Sequence, residues 1–169
     1  MKPSHEIPGF KIQAATKAHV PVILDFIKKL ADYERLSHEV VATEDRLRET
    51  LFGRRATAEV ALGYYKNQPV AFVLFFHNYS TFLGQPGIYI EDLFVDEIYR
   101  RRGFGGALLR HVAGLANDRQ CGRLEWSVLD WNEPAIQFYE SLGAKAQAEW
   151  VRYRLDEEQI LRLANSRLA

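Results

Sequence analysis

Two acidic side chains stand together in an apolar run. Ile88-Tyr89-Ile90 precedes Glu91-Asp92, and Leu93-Phe94-Val95 follows. A carboxylate held among apolar groups and beside a second carboxylate keeps its proton to higher pH, which makes it a better base near neutrality, while the pair attracts cations. Shortly downstream comes Arg100-Arg101-Arg102-Gly103-Phe104-Gly105-Gly106, then Ala107-Leu108-Leu109. These residues read as strand, basic glycine turn and helix. Glycines at Gly103, Gly105 and Gly106 let backbone N–H groups approach an anion closely, and the helix dipole adds favourable potential there. The turn suits a phosphate, although a bare turn would use the same residues.

Two nucleotide motifs do not fit. A P-loop needs Lys-Ser/Thr after its last glycine, whereas Gly106 is followed by Ala107 and Leu108, which offer nothing to hold a magnesium ion. A dinucleotide fingerprint needs G-x-G-x-x-G in an early βαβ unit, with an acidic residue about 20 positions further on. The carboxylate pair carries a geometric condition of its own. Adjacent strand residues point to opposite faces, so Glu91 and Asp92 share one pocket only if a bulge or the strand end re-aims one of them.

The flanking elements follow from apolar period and capping residues. Phe10 to Ala14 reads as a strand, and Val20, Ile23, Leu24, Ile27, Leu30 and Ala31 mark a helix with Pro21 in its first turn and Tyr33-Glu34 at its far end. Thr43 caps a second helix that carries Leu47 and Leu51 and stops at Gly53. Glu59 to Tyr65 and Val70 to Phe76 form a hairpin across Lys66-Asn67-Gln68-Pro69, and Asn78 to Gly87 reads as a loop beside the central strand. Phe104, Leu108, Leu109, Val112, Leu115 and Ala116 mark the buried face of the helix after the glycine turn. Arg123 to Leu129 reads as a strand, Asn132 caps a short helix ended by Gly143, Trp150 to Leu155 reads as a last strand, and Asp156 with Gln159 opens a C-terminal helix. The order β-α-α-β-β-β-α-β-α-β-α predicts an α/β fold with a mixed sheet flanked by helices, in a single domain over 1–169 with its core at about 10–160.

Composition narrows the partners. Lysine plus arginine number 22, equal to aspartate plus glutamate, so no global field favours nucleic acid or a membrane surface. One cysteine, Cys121, excludes an intrachain disulfide framework and points to a reducing compartment. Met1 to Gly9 is polar, and no stretch approaches the ~20 apolar residues of a membrane span, so the expectation is a cytoplasmic protein.

Arg100-x-x-Gly103-x-Gly105 followed by Ala107-Leu108-Leu109 resembles the pyrophosphate-binding motif of the GNAT superfamily of N-acetyltransferases. Tyr89-x-Glu91-Asp92-x-Phe94-Val95 and the segment Trp131 to Tyr139 are similar to the diamine (spermidine/spermine) and thialysine acetyltransferase branch, over about residues 10–160. The resemblance implies acetyl-CoA as cosubstrate, no metal, and a fourth and fifth strand splayed to admit the pantetheine arm. It implies that Arg100, Arg101, Arg102, Gly103, Phe104, Gly105 and Gly106 hold pyrophosphate, that Leu93, Phe94 and Val95 hold pantetheine and the acetyl carbonyl, and that Asn132 contacts CoA. Tyr33, Glu34, Glu91 and Asp92 would bind the acceptor. The branch has a glycine where Arg101 stands and a hydroxyl residue where Gly106 stands.

Acetyl transfer to an amine then needs three things: a proton acceptor, an oxyanion stabiliser and a proton for the departing thiolate. Glu91 is the candidate acceptor, with Asp92 beside it and Glu34, Glu125 and Glu149 as possible extensions of an acidic lining. Tyr139 is the candidate donor, since a phenol is protonated at neutral pH. Cys121 and the serines lack a His-carboxylate setting, and His5, His19, His38, His77 and His111 lack metal spacing, so direct attack in a ternary complex is expected. The acceptor is expected to be a small cationic amine, with a protein lysine, an amino acid or an aminoglycoside as alternatives. A non-catalytic CoA- or polyamine-sensing module is a third possibility, and a homodimer is an expectation from the family.

Overall fold

The computed structural model describes residues 7–166. Its elements run β1 (Phe10–Ala14), α1 (Val20–Tyr33), α2 (Glu44–Phe52), β2 (Glu59–Tyr65), β3 (Gln68–Ser80), β4 (Gln85–Val95), α3 (Phe104–Asp118), β5 (Arg123–Trp126), α4 (Glu133–Ser141) and α5 (Glu157–Asn165). The chain divides into two compact units, one reaching Leu129 and one beginning at Asp130. All five strands lie in the first.

The strands stand in chain order, β1 to β5, antiparallel except for the parallel pair β4 and β5. The expected mixed sheet with flanking helices is therefore present. Local chemistry explains most boundaries. Thr43 Oγ1 accepts from the Arg46 backbone N–H at 3.3 Å, starting α2 as expected. Lys66 and Asn67 both take left-handed φ, 49° and 67°, which suits a two-residue hairpin turn whose twist matches the strands it joins.

Helices α1 and α2 pack on one face of the sheet, where Val20, Ile23, Phe26, Leu47 and Leu51 meet Val60, Leu62, Phe72 and Phe94. Phe26 stacks on Phe72 with ring centres 5.5 Å apart. Burying each ring contributes about 2–3 kcal/mol to holding α1 against the sheet. On the α3 side Phe10 and Phe104 stack at 4.1 Å. Gly63 makes room for Phe10: a Cβ there would lie 2.6 Å from its ring.

Three expectations change. Asn78 to Gly87 is no loop, because β3 continues to Ser80 and β4 begins at Gln85, leaving a turn of four residues. Paired backbone, not side-chain polarity, decides that stretch: Asn78 faces Gly87 and Ser80 faces Gln85 across the ladder. β5 is shorter than expected and stops at Trp126. Residues 150–155 form no strand among the described residues. Val151-Arg152-Tyr153-Arg154-Leu155 alternates apolar and charged side chains, but a period-2 pattern without a ladder partner has no backbone bonds to hold it extended.

In the second unit, Asp156 and Gln159 form the expected capping box, each side chain bonding the other's backbone N–H, at 2.7 and 2.9 Å. Asn132 occupies the N-cap position of α4 without the expected side-chain cap bond; its carbonyl accepts from Ala135 and Ile136. No helix of the described residues is long and apolar enough to cross a membrane.

Candidate active site

Glu91 sits at a bulge. Leu74 pairs with Asp92 while the next residue, Phe75, pairs with Ile90, so Glu91 has no partner of its own on β3. Directly paired residues share a face, and therefore Ile90 lies on the face of Phe75 whereas Asp92 lies on the opposite face with Leu74. That second face is the one α1 covers, since Leu74, Phe72 and Phe94 all belong to its core cluster. One extra residue thus carries Asp92 to the side where α1 ends in Tyr33 and Glu34. The bulge that the carboxylate pair would need in order to share a pocket is present.

The electrostatics follow from that placement. Burial, then the charges of Glu91 and Glu34, push the Asp92 carboxyl up to about 7. Burial also raises Glu34 above the ordinary carboxylate range. Glu91 itself is exposed, and Asp92 and Glu34 are half-buried. Three carboxylates from two elements converge, and one of them exchanges its proton near neutrality.

The bulge also marks where the sheet opens. Pairing between β4 and β5 runs from Gly87↔Arg123 to Ile90↔Trp126 and stops there, while β4 continues to Val95. The edge of β4 from Glu91 to Val95 therefore has no strand beside it among the described residues. Tyr89 Oη and Ser127 Oγ, 2.6 Å apart, tie β4 to the residue just after β5. β5 pairs with β4 over its whole length and then ends, so the described residues show β4 outrunning β5 and do not test the expected splay. Glu125 is engaged elsewhere, pairing with Arg123 at 2.9 Å and accepting from Asn78 at 2.7 Å.

Past Val95 the chain turns into α3 through Gly103, its N-cap, at φ +81°. Helix geometry leaves the N–H groups of Gly103, Phe104, Gly105 and Gly106 without carbonyls of their own helix to bond. A Cβ built on Gly105 would meet Val95 Cγ2 at 3.7 Å and Leu93 Cδ2 at 3.8 Å, ordinary contact distances. The protein's own packing thus does not demand glycine at 105, and the turn lies over the unpaired end of β4. These are the requirements of a phosphate-bearing chain laid along that edge.

The three arginines separate. Arg100 Nε donates to the Val95 carbonyl at 3.1 Å, and its guanidinium lies 4.3 Å from the Tyr33 ring centre. Arg102 sits 5.5 Å from the rings of Tyr65 and Tyr99. Arg101 takes φ 61° and is exposed. Spacing in the sequence makes them equivalent, and only the fold distinguishes them. Tyr139 on α4 and Asn132 before it belong to the second unit, where the Tyr139 ring lies 5.4 Å from that of Phe138.

Comparison with known proteins agrees with this geometry. The model of the acetyltransferase (GNAT) family matches residues 26–144. L-ornithine N5-acetyltransferase of Arabidopsis thaliana is 36% identical over 190 residues, covering 86% of this chain and 83% of its own. Thialysine N-epsilon-acetyltransferase of Caenorhabditis elegans is 32% identical over 161 residues, covering 93% and 98%. An integron cassette protein from the mobile metagenome of V. cholerae superposes with a TM-score of 0.79 at 25% identity, over 94% of this chain and 99% of that one. Sequence match, relatives and fold agree, and the chain belongs to the GNAT family as an N-acetyltransferase.

Proposed function

We propose that this enzyme transfers an acetyl group from acetyl-CoA to the primary amine of a small cationic acceptor, a diamine, polyamine or lysine-like compound, by direct attack in a ternary complex. The observation that carries the reading is the bulge at Glu91, which groups Glu34, Glu91 and Asp92 beside the end of β4 that runs on past β5. A cluster of carboxylates draws a cation, and a carboxyl pushed up to about 7 is matched to accepting a proton near neutral pH. The two relatives named above act, by their names, on ornithine and thialysine.

Acetyl-CoA is a substrate that supplies the acyl group, its C–S bond breaking as the new C–N bond forms. The N–H groups of residues 103–106 hold its pyrophosphate, with Arg101 and Arg102 as flanking charges, and the backbone of Leu93, Phe94 and Val95 beyond the end of β5 holds the pantetheine and acetyl carbonyl, the Val95 carbonyl already accepting from Arg100. An alkylammonium with a pKa near 10.4 is neutral in about one part in a thousand or less at pH 7, so its proton must be taken up within the site. Asp92 takes it, coupled to Glu91, the acceptor expected from the sequence; the pair and Glu34 hold the cation, with Tyr33 beside them. Tyr139 gives a proton to the departing thiolate, and Asn132 contacts CoA.

Both compact units form one catalytic domain in this reading, supported by a family match that runs across their boundary at 129/130. The enzyme works as a cytoplasmic homodimer in this reading, and the exposed Ile160, Leu161 and Leu163 of α5 support the dimer alone. The test is free thiol release from acetyl-CoA over a panel of thialysine, L-ornithine, putrescine, spermidine, spermine and a lysine peptide, with Tyr139→Phe in parallel. Turnover of a small amine that is lost in the variant supports the reaction and the donor together. Turnover of the peptide alone refutes the small acceptor, and full turnover by the variant with chemistry rate-limiting refutes Tyr139.

A further inference from the structure

We propose that Arg100 is a positioning residue for the acceptor half of the site, clamping the end of α1 to the end of β4 that runs on past β5, and is not a ligand of the phosphate. The inference deepens the reading above and rests on it. By sequence Arg100 heads the basic turn and belongs with Arg101 and Arg102. Its side chain goes elsewhere. The guanidinium carbon lies 4.3 Å from the ring centre of Tyr33, the last residue of α1, and 5.6 Å from that of Phe94 on β4. Nε donates to the Val95 carbonyl at 3.1 Å, at the end of the stretch of β4 that has no β5 beside it. Nη1 lies 3.6 Å from Glu97.

One planar group therefore joins three elements: a ring face of α1, a carbonyl of β4 and the short segment that leads into the glycine turn. A guanidinium can lie flat over a ring and donate in its own plane at once, whereas an ammonium, a compact point charge, cannot do both from one position. The carbonyl it takes is one that a neighbouring strand would satisfy if the sheet were closed there. Tyr33 precedes Glu34, whose charge reaches Asp92. Arg100 thus holds in place the helix end that carries one wall of the carboxylate cluster. The phosphate cradle needs none of these contacts, because it is built from backbone N–H groups of residues 103–106.

The experiment separates the two halves of the site. CoA affinity is measured by calorimetry without amine, and steady-state KM for the acceptor is measured with whichever of thialysine, L-ornithine, putrescine or spermidine the wild type turns over best. The proteins are wild type, Arg100→Lys, Arg100→Met, Tyr33→Leu and the double variant Arg100→Met/Tyr33→Leu. In both Arg100 variants the CoA dissociation constant should stay within about twofold while the acceptor KM rises about tenfold, and lysine should not rescue, because charge alone does not stack. Tyr33→Leu should raise the same KM, and the double variant should add little to it. CoA affinity that falls about tenfold in Arg100→Met and returns in Arg100→Lys would make Arg100 a phosphate charge and overturn the proposal. An unchanged acceptor KM, additive effects in the double variant, or loss of CoA binding in both variants would also overturn it. No thiol release by the wild type on any of the four amines would strike the functional reading instead, and the CoA measurements would still decide whether Arg100 binds phosphate.

Discussion

Replacing Asp92 with asparagine should make the protein more stable and less active, with the gain in stability growing as pH rises. Burial and the charges of Glu91 and Glu34 move the Asp92 carboxyl from its ordinary 3.8 to about 7. Between those values the unfolded chain has lost the proton and the folded chain still holds it, so stability declines as pH climbs through this window and levels off above it. About three pH units at 1.36 kcal/mol each cap the cost at roughly 4 kcal/mol. Solvent screening at this half-buried carboxyl brings the expected value to about 2–4 kcal/mol. Asparagine matches the shape of the protonated acid and cannot ionise, so wild type and variant should nearly coincide at pH 4 and diverge up to pH 8. For a chain of this size each kcal/mol moves Tm by about 2–4 °C, which predicts a variant melting roughly 5–10 °C higher at pH 8. Urea unfolding at pH 4.5, 6 and 8 reads the free energies directly. Turnover at pH 7.5 should fall about 100-fold or more, the usual weight of a general base, and the deficit should narrow toward pH 9.5 as more amine arrives neutral. An offset that is the same at every pH, or a variant less stable at pH 8, would refute the reasoning.

Other substitutions probe separate parts of the argument. Gly105→Ala places its methyl at ordinary contact distance from Val95 and Leu93, so Tm should hold or rise with a helix gain of up to about 1 kcal/mol, while calorimetry should show CoA affinity falling about tenfold because the cradle is narrowed. Gly63→Ala drives a methyl to 2.6 Å from the Phe10 ring, itself stacked on Phe104, and should cost about 1–3 kcal/mol in urea unfolding. Glu59 is held below the ordinary carboxylate range by its hydrogen bond from Arg119, so its contribution is present above that range and disappears as pH falls through the lowered value. Because the Glu59 side chain is 47% exposed, Glu59→Gln should cost under about 1 kcal/mol at pH 7, a difference that 1 M salt reduces.

What the sequence discloses about this site divides by the range of the interactions involved. The cap at Thr43, the turn at Lys66-Asn67 and the box at Asp156 and Gln159 involve groups a few residues apart, so side-chain type alone predicts them. The strand pattern at 150–155 is equally local, but a strand exists only through a partner, and a pattern cannot supply one. The opening of the sheet is less legible still. It depends on Ile90 pairing with Trp126 and on no strand pairing beyond among the described residues, a relation between segments 36 positions apart. The bulge lies between these cases. Adjacent carboxylates in an apolar strand pose the question of a shared pocket, and the register of β3 answers it by leaving Glu91 unpaired and turning Asp92 toward α1. Arginine shows the limit most clearly. Three consecutive guanidiniums look like one basic patch, yet Arg100 folds back on Tyr33 and Val95, Arg101 takes the left-handed region, and Arg102 sits by Tyr65 and Tyr99. Backbone torsion at the turn distributes the charges. The glycines that make the cradle possible therefore also decide which arginines are left to serve it.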